Sequence, residues 1–359
     1  MKKVPVRFVK EGDVLAVDLY TEDFLLLLNR GTKLSSPLLA LIEKRNIYEL
    51  YIEDGVTNDV FYNPIIEHRE RRELHQQIYR VLFAYLSQEE FNSKFNSIDL
   101  GREFENIART LLHYIAPKPQ ILHSFHDLHQ YDHSMFQHSL NVGILSGVIG
   151  VELGLSKNEL IELMVGAMLF DIGMTRLPRQ ILTKKGRLSQ VERKMVQRHA
   201  EIGFNLLVRE RNTSEMSALC ALYHHERLDG GGYPKQLPGK SIHLYPRIVA
   251  VADVFDALTT KRHHREPYTA HEAVEYLYAS GGSMFDVKII KAFLRCIAIY
   301  PPGSRVQLNN GLAAIVVQGF PDYPLRPLVR IIEDKNGKAL PIPIDVDLRK
   351  HKNITIIKS

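Results

Sequence analysis

The chain has 359 residues, 45% hydrophobic and 24% charged, with a formal net charge of +5. This is ordinary globular composition, with two or three domains expected at roughly 100–200 residues each. The small charge and the lack of any Lys/Arg-rich block exclude a nucleic-acid polymer as the natural partner and suit an anionic small molecule. Cys220 and Cys296 are far apart and lack ligand spacing, so both are read as buried, reduced thiols. MKKVPVRFVKEGD has no continuous apolar region, and no run reaches the ~18 apolar residues of a membrane span. No signal peptide and no membrane span are predicted, and the expected location is the cytoplasm.

In chain order, residues 1–62 alternate like strands in VRFVK, VLAVDLY and FLLLL. SSPLLALIEKRN then has helical spacing, with Ser35 or Ser36 as N-cap and Pro37 in the first turn, before IYELYIED returns to a strand. Residues 63–117 are polar and helical, a connector with apolar spacing in IYRVLFAYL and IARTLLHYI. Residues 118–300 form a long helical block. Residues 301–359 read as strands around two Asn-Gly turns, a small β domain. The predicted fold class is mainly α: a central all-helical domain flanked by a small N-terminal α/β module and a small C-terminal β domain.

Polar residues interrupt apolar stripes in the helical block. His138 shares a face with Val142, Leu145 and Ile149. Leu160, Leu163, Met164, Ala167 and Met168 make a stripe that Asp171 continues. Val191, Met195, Ile202 and Leu206 make another that His199 interrupts, in a segment opened by a Ser189–Glu192 capping box. RIVAVADVFDALT is apolar nearly all round yet carries Asp253 and Asp256. A lone histidine on such a face is usually a hydrogen-bonded core residue. A buried carboxylate is harder to dismiss, because an unpaired ionised group in an apolar interior costs many kcal/mol. No arginine or lysine shares those stripes to pair the acids. With the adjacent His224 and His225, these groups are better explained by cations than by coincidence. Asp256 reads equally well as a hydrogen-bonded structural acid and stays outside the ligand set.

Residues 224–234 read HHERLDGGGYP: two adjacent imidazoles suited to a metal, then Gly230, Gly231 and Gly232, whose bare backbone suits a phosphate. The combination points to metal-assisted hydrolysis of a phosphodiester. Cations there neutralise the anion, lower the pKa of a bound water and hold the leaving oxygen.

The segment from HSLNVGIL to LFDIG, together with RHAEIG, HHERLDGGGYP and VADVFDALTTKR in that order, resembles the HD-GYP family over roughly residues 120–300. The resemblance implies an all-helical domain, a metal site commonly of iron or manganese, and cyclic di-GMP as substrate class. Carried over residue by residue, it implies His138, Asp171, His199, His224, His225 and Asp253 as ligands of one or two divalent ions. By the same resemblance Asp171 would bridge two ions and be the catalytic carboxylate. His199, His224 and His225 complete one shell, while His138 and Asp253 serve the other. It also implies Tyr233, Arg262, Arg265, Gly231 and Gly232 as substrate-binding residues, since the planar arginine fork suits phosphate. On pattern alone, Arg262 and Arg265 sit in a loop reading KRHHRE that solvation would explain.

The sequence departs from the family at three positions, two of them within one turn of Asp171. The His-Asp pair reads Phe170–Asp171, the lysine three residues on is Met174, and a glutamate that some members place before the first histidine is Ser134. A mono- or dinuclear site with impaired or absent hydrolysis is therefore expected. His133 points to another helical face than His138 and does not replace the lost imidazole. Two alternatives stay open: a catalytically inactive receptor for cyclic di-GMP or only a metal, signalling through its terminal domains, and a phosphohydrolase of another nucleotide. The connector is a candidate homodimer element, and the terminal domains are candidate surfaces for protein partners.

Overall fold

The computed structural model describes residues 1–21, 26–45, 47, 49–60, 66–91, 98–115, 135–184, 186–260 and 267–358. The calls at Arg262, Arg265, His133 and Ser134 lie outside the described residues.

The N-terminal module pairs strand β1 (Lys2–Pro5) with β4 (Glu49–Ile52), and β2 (Leu19–Tyr20) with β3 (Leu26–Leu28), both antiparallel. Helix α1 (Ser36–Lys44) starts after Ser35, with proline in its first turn, where a missing N–H costs nothing. The expected strand VRFVK is instead a single 3₁₀ turn over Val6–Phe8. Pro5 has no N–H to extend a ladder, and the Val9 N–H turns back to the Val6 carbonyl at 3.0 Å. Val6, Leu15, Leu34, Ile42, Leu50 and Ile52 form this module's own core.

The central domain contains α2 (His68–Phe91), α3 (Leu100–Ile115), α4 (Met135–Glu152), α5 (Lys157–Leu169), α6 (Arg179–Leu182), α7 (Gln190–Gln197), α8 (His199–Leu207), α9 (Glu215–Tyr223), α10 (Leu244–Thr259), α11 (Ala270–Ala279) and α12 (Val287–Cys296). The expected connector is part of this core. Phe104, Ile107, Ala108 and Leu111 lie on one face of α3 and are buried with residues of α4 and α5, as is Ile78 of α2. The capping box at Ser189 and Glu192 is present.

The stripe read through residues 191–206 does not face the core. Val191 is 71% exposed, and α7 and α8 break at Arg198, so His199, Ala200, Gly203 and Leu207 form the buried face. The reason is a close backbone approach. A Cβ on Gly173 would lie 2.0 Å from the His199 carbonyl oxygen and 2.6 Å from the Gly203 nitrogen. Only glycine lets the turn after Asp171 touch α8 there. Gly166 does the same for α5 and α9, where a Cβ would lie 2.7 Å from the Ser217 carbonyl oxygen. These two contacts set Asp171 against His199 and His224.

The C-terminal sheet has strand order β8-β7-β6-β5-β9 with antiparallel neighbours throughout: β5 (Arg305–Leu308), β6 (Ala313–Gln318), β7 (Leu328–Glu333), β8 (Ala339–Asp347) and β9 (Ile356–Lys358). Gly311 and Gly337, at φ +84° and +77°, supply the left-handed residues of the Asn-Gly turns. Val306, Leu308, Ala314 and Val316 join the central core. The sheet also holds the N-terminal module. Lys3 donates its backbone N–H to Gly303 at 2.8 Å, and Arg330 forks onto Asp59 and Asp345. Among the described residues no helix is long and apolar enough to cross a membrane.

Candidate metal centre

His199 opens α8 and His224 caps the end of α9, and each spends one ring nitrogen on its own backbone. The His199 Nδ1–H donates to the Val196 carbonyl at 2.7 Å. The His224 Nδ1–H donates to the Cys220 and Ala221 carbonyls at 2.9 and 3.0 Å. A carbonyl can only accept, so both tautomers are fixed and both Nε2 lone pairs turn inward. Those two atoms lie 3.3 Å apart. Asp171 Oδ1 stands 3.3 Å from the first and 3.7 Å from the second. Adding His225, three imidazoles each offer a nitrogen within 4.8 Å of the others.

Burial, then the neighbouring imidazoles His225 and His199, hold His224 well below its ordinary value. Burial and His199 push His225 down to about 3. Protons are therefore poor guests here, yet lone pairs and a carboxylate converge. Two nitrogens each ~2.1 Å from one ion would be separated by roughly 3.0–3.4 Å. The donor set fits a divalent cation, with the outer ring nitrogens oriented by backbone carbonyls as metal-binding histidines usually are.

Tyr233 covers this group, its ring 4.6 Å from that of His225. Burial, then the charges of Asp171 and Asp253, raise its phenol well above the ordinary value, so it stays a neutral donor. The glycine loop is built by internal contacts. Gly230 has φ +75°. Gly231 donates its N–H to Asp229 Oδ1 at 2.8 Å. A Cβ on Gly232 would lie 2.5 Å from the Arg227 nitrogen. Glu226, not singled out in the sequence, accepts from the Lys235 and Leu237 amides at 2.6 and 3.0 Å and ties the loop shut.

His138 and Asp253 meet separately. His138 Nε2 lies 2.9 Å from Asp253 Oδ1, and its Nδ1 donates to Asp256 Oδ2 at 2.6 Å. Burial opposes the charged imidazole, but the Asp253 and Asp256 carboxylates outweigh it and raise His138 to about 10. This half is an ion triad, one imidazolium between two carboxylates. Asp256, fully buried, orients His138. Phe170 packs edge-on against both His138 and His224, with centroids at 5.4 and 4.9 Å.

Sequence reasoning missed Asn141 and Arg71. The Asn141 Nδ2 donates to Asp256 Oδ1 at 2.8 Å, and the Arg71 Nη2 donates to Asn141 Oδ1 at 2.6 Å. A polar residue three positions after His138 in an apolar helix was the available signal for Asn141. Arg71 lies in a run of charges on α2 and gave none.

A helical core presenting buried imidazoles and aspartates from separate helices defines the HD-domain class, whose phosphohydrolases typically depend on divalent metal. Residues 126–289 match the family model described as HD domain, and residues 305–359 match a KOW domain associated with HD domain. Residues 126–289 thus form an HD domain, and the comparisons support an HD-GYP family protein. The chain is 43% identical over 152 residues to the cyclic di-GMP phosphodiesterase response regulator RpfG of Xanthomonas campestris, covering 42% of this chain and 40% of that one. It is 33% identical over 228 residues to the cyclic di-GMP phosphodiesterase PA4108 of Pseudomonas aeruginosa, covering 64% of this chain and 55% of that one. The chain thus spans about half the length of these curated relatives. In fold it is similar to Bd1817, an HDG"Y"P protein from Bdellovibrio bacteriovorus. That match has a TM-score of 0.50 at 16% identity and covers 81% of this chain and 97% of that one.

Proposed function

We propose that this chain is a cyclic di-GMP signalling protein that holds one divalent cation tightly, on His199, His224, His225 and Asp171, and hydrolyses its ligand slowly or not at all. The observation that carries the reading is the asymmetry of the two halves. His199 and His224 face each other through fixed Nε2 lone pairs, 3.3 Å apart, beside a carboxylate. Both ring nitrogens of His138 are already paired, with Asp253 and Asp256, so a second cation there must displace a proton from it. Phe170 offers that half no donor, and Met174 offers phosphate no charge.

A divalent cation in such a site supplies Lewis acidity and a nucleophile from water at neutral pH. The chain's own residues would do the rest. Asp171 stands beside His199 and His224, Tyr233 donates from a neutral phenol above His225, and the loop closed by Glu226 walls the site. Iron and manganese suit imidazole and carboxylate donors. The substrate class comes from the relatives.

The test is incubation of the manganese- or iron-loaded chain with cyclic di-GMP, with products resolved by chromatography, alongside calorimetric binding. Binding with little or no linear product supports the reading. Turnover at a rate typical of enzymes, about 1 s⁻¹ or more, overturns the impairment. No heat with cyclic di-GMP, but heat with a linear nucleotide, overturns the substrate class.

A further inference from the structure

Arg71 lies on α2, outside the matched HD domain, and is nevertheless buried at 3% exposure. Its guanidinium has only donors, so the Asn141 carbonyl oxygen must turn toward it. That choice fixes the amide, because the Asn141 NH₂ then points the other way, to Asp256 Oδ1. The flipped amide would set a carbonyl against the Asp256 carboxylate and leave Arg71 facing another donor. With Oδ1 held, Asp256 offers Oδ2 to the His138 Nδ1–H, and the Nε2 edge is left toward Asp253. All three links from Arg71 to His138 are between buried side chains.

We propose that Arg71 is a positioning residue for His138, acting through Asn141 and Asp256, so that a helix N-terminal to the HD domain sets the orientation of a candidate metal ligand. The metal part of this statement rests on the function proposed above, but the orientation does not. Outer partners of this kind typically change metal affinity by about 10–100-fold. A shift of α2 would therefore be felt at the His138 half-site.

The experiment uses the full chain labelled with ¹⁵N-histidine, stripped with chelator, and observes the ring N–H signals by NMR. The His138 Nδ1–H is expected as a protected, hydrogen-bonded resonance in the wild type. It is expected to be lost to exchange in Arg71→Met and in Asn141→Ala, and present but displaced in Arg71→Lys. The His199 and His224 Nδ1–H signals, bound to backbone carbonyls, should stay unchanged and serve as the control for folding. An unchanged His138 signal in Arg71→Met, with the two controls intact, overturns the proposal. Should Arg71→Met and Asn141→Ala lose the controls too, Arg71→Lys decides: a His138 resonance that moves no more than the controls overturns it. Added Zn²⁺ separates the two readings. Failure to perturb His199 and His224 Nε2 would remove the metal reading, while leaving the His138 comparison to stand or fall by itself.

Discussion

The ring of Phe170 meets the imidazole of His224 edge-on, with 4.9 Å between centroids. It is almost wholly buried, at the position that the sequence resemblance assigns to the family's histidine. An apolar wall thus divides a centre that would otherwise be shared. Replacing it restores a donor. Phe170→His together with Met174→Lys is expected to raise occupancy of the His138 half-site by about tenfold or more, the scale on which a single orienting group already matters. It should also raise diesterase activity, at a stability cost of about 1–3 kcal/mol for a buried polar group. Elemental analysis checks the first effect; unchanged metal content means that Phe170 is not the missing ligand position.

The two halves titrate in opposite senses. His225 is held near 3 in the fold against an ordinary 6.5, and His224 is also lowered. Above about 6.5 these imidazoles are neutral folded or unfolded. Below it the unfolded chain takes up protons that the fold refuses, so stability falls with pH. His138 is raised to about 10 from an ordinary 6.5. Its contribution is complete below about 6.5 and is lost as pH rises through 10. The chelated chain should therefore melt highest near pH 6.5, with a decline toward pH 10 that is absent in His138→Gln. A melting temperature flat from pH 7 to 10 in the wild type would remove the charged triad.

Much of this was legible in sequence because burial and polarity conflict there. His138, Asp171, His199, His224 and Asp253 stand out on apolar segments, and the Asn-Gly turns announce the C-terminal sheet. The α7–α8 break was not legible. Its cause is the contact of Gly173 with the His199 carbonyl, a tertiary approach that overrides the 3.6-residue period through Val191 and Met195. The division of the six candidate ligands into an open cluster and a closed triad was equally hidden. It depends on Asp256, which alternation alone could place inside but not against a particular nitrogen. Pro5 did carry its signal, and the strand read across VRFVK gave it too little weight.

The glycine loop separates fold from ligand contact. A Cβ on Gly232 would meet the Glu226 Cα and the Arg227 nitrogen, each at 2.5 Å, whereas on Gly231 it would meet only side-chain atoms, Asp229 Oδ1 at 3.1 Å and the Arg227 guanidinium at 3.6 Å. Gly232→Ala should cost about 1–3 kcal/mol through forced backbone shifts and weaken metal retention, because the clash reaches His225. Gly231→Ala should stay within about 0.5 kcal/mol of wild type. Thermal melts of the two variants check this; equal losses would mean that the loop is not anchored as described.

Arg330 clasps the two ends of the chain. It donates to Asp59 Oδ1 and Oδ2 at 2.7 and 2.8 Å, to Asp345 at 2.7 and 3.0 Å, and to the Val56 carbonyl at 2.7 Å. The carboxylates are largely exposed, so the fork is worth about 1 kcal/mol rather than the value of a buried pair. Arg330→Ala is expected to lower the melting temperature by a few degrees and to speed proteolysis between β4 and α2. An unchanged cleavage pattern would mean that the clasp does not hold the N-terminal module.

The most direct test is metal content of the full chain purified without chelator, compared with His224→Ala. About one tightly held equivalent of divalent metal is expected in the wild type, as befits a single four-donor site, with loss of that metal in the variant. A wild-type chain that stays metal-free after loading, or a His224→Ala chain that keeps its metal, would contradict the account.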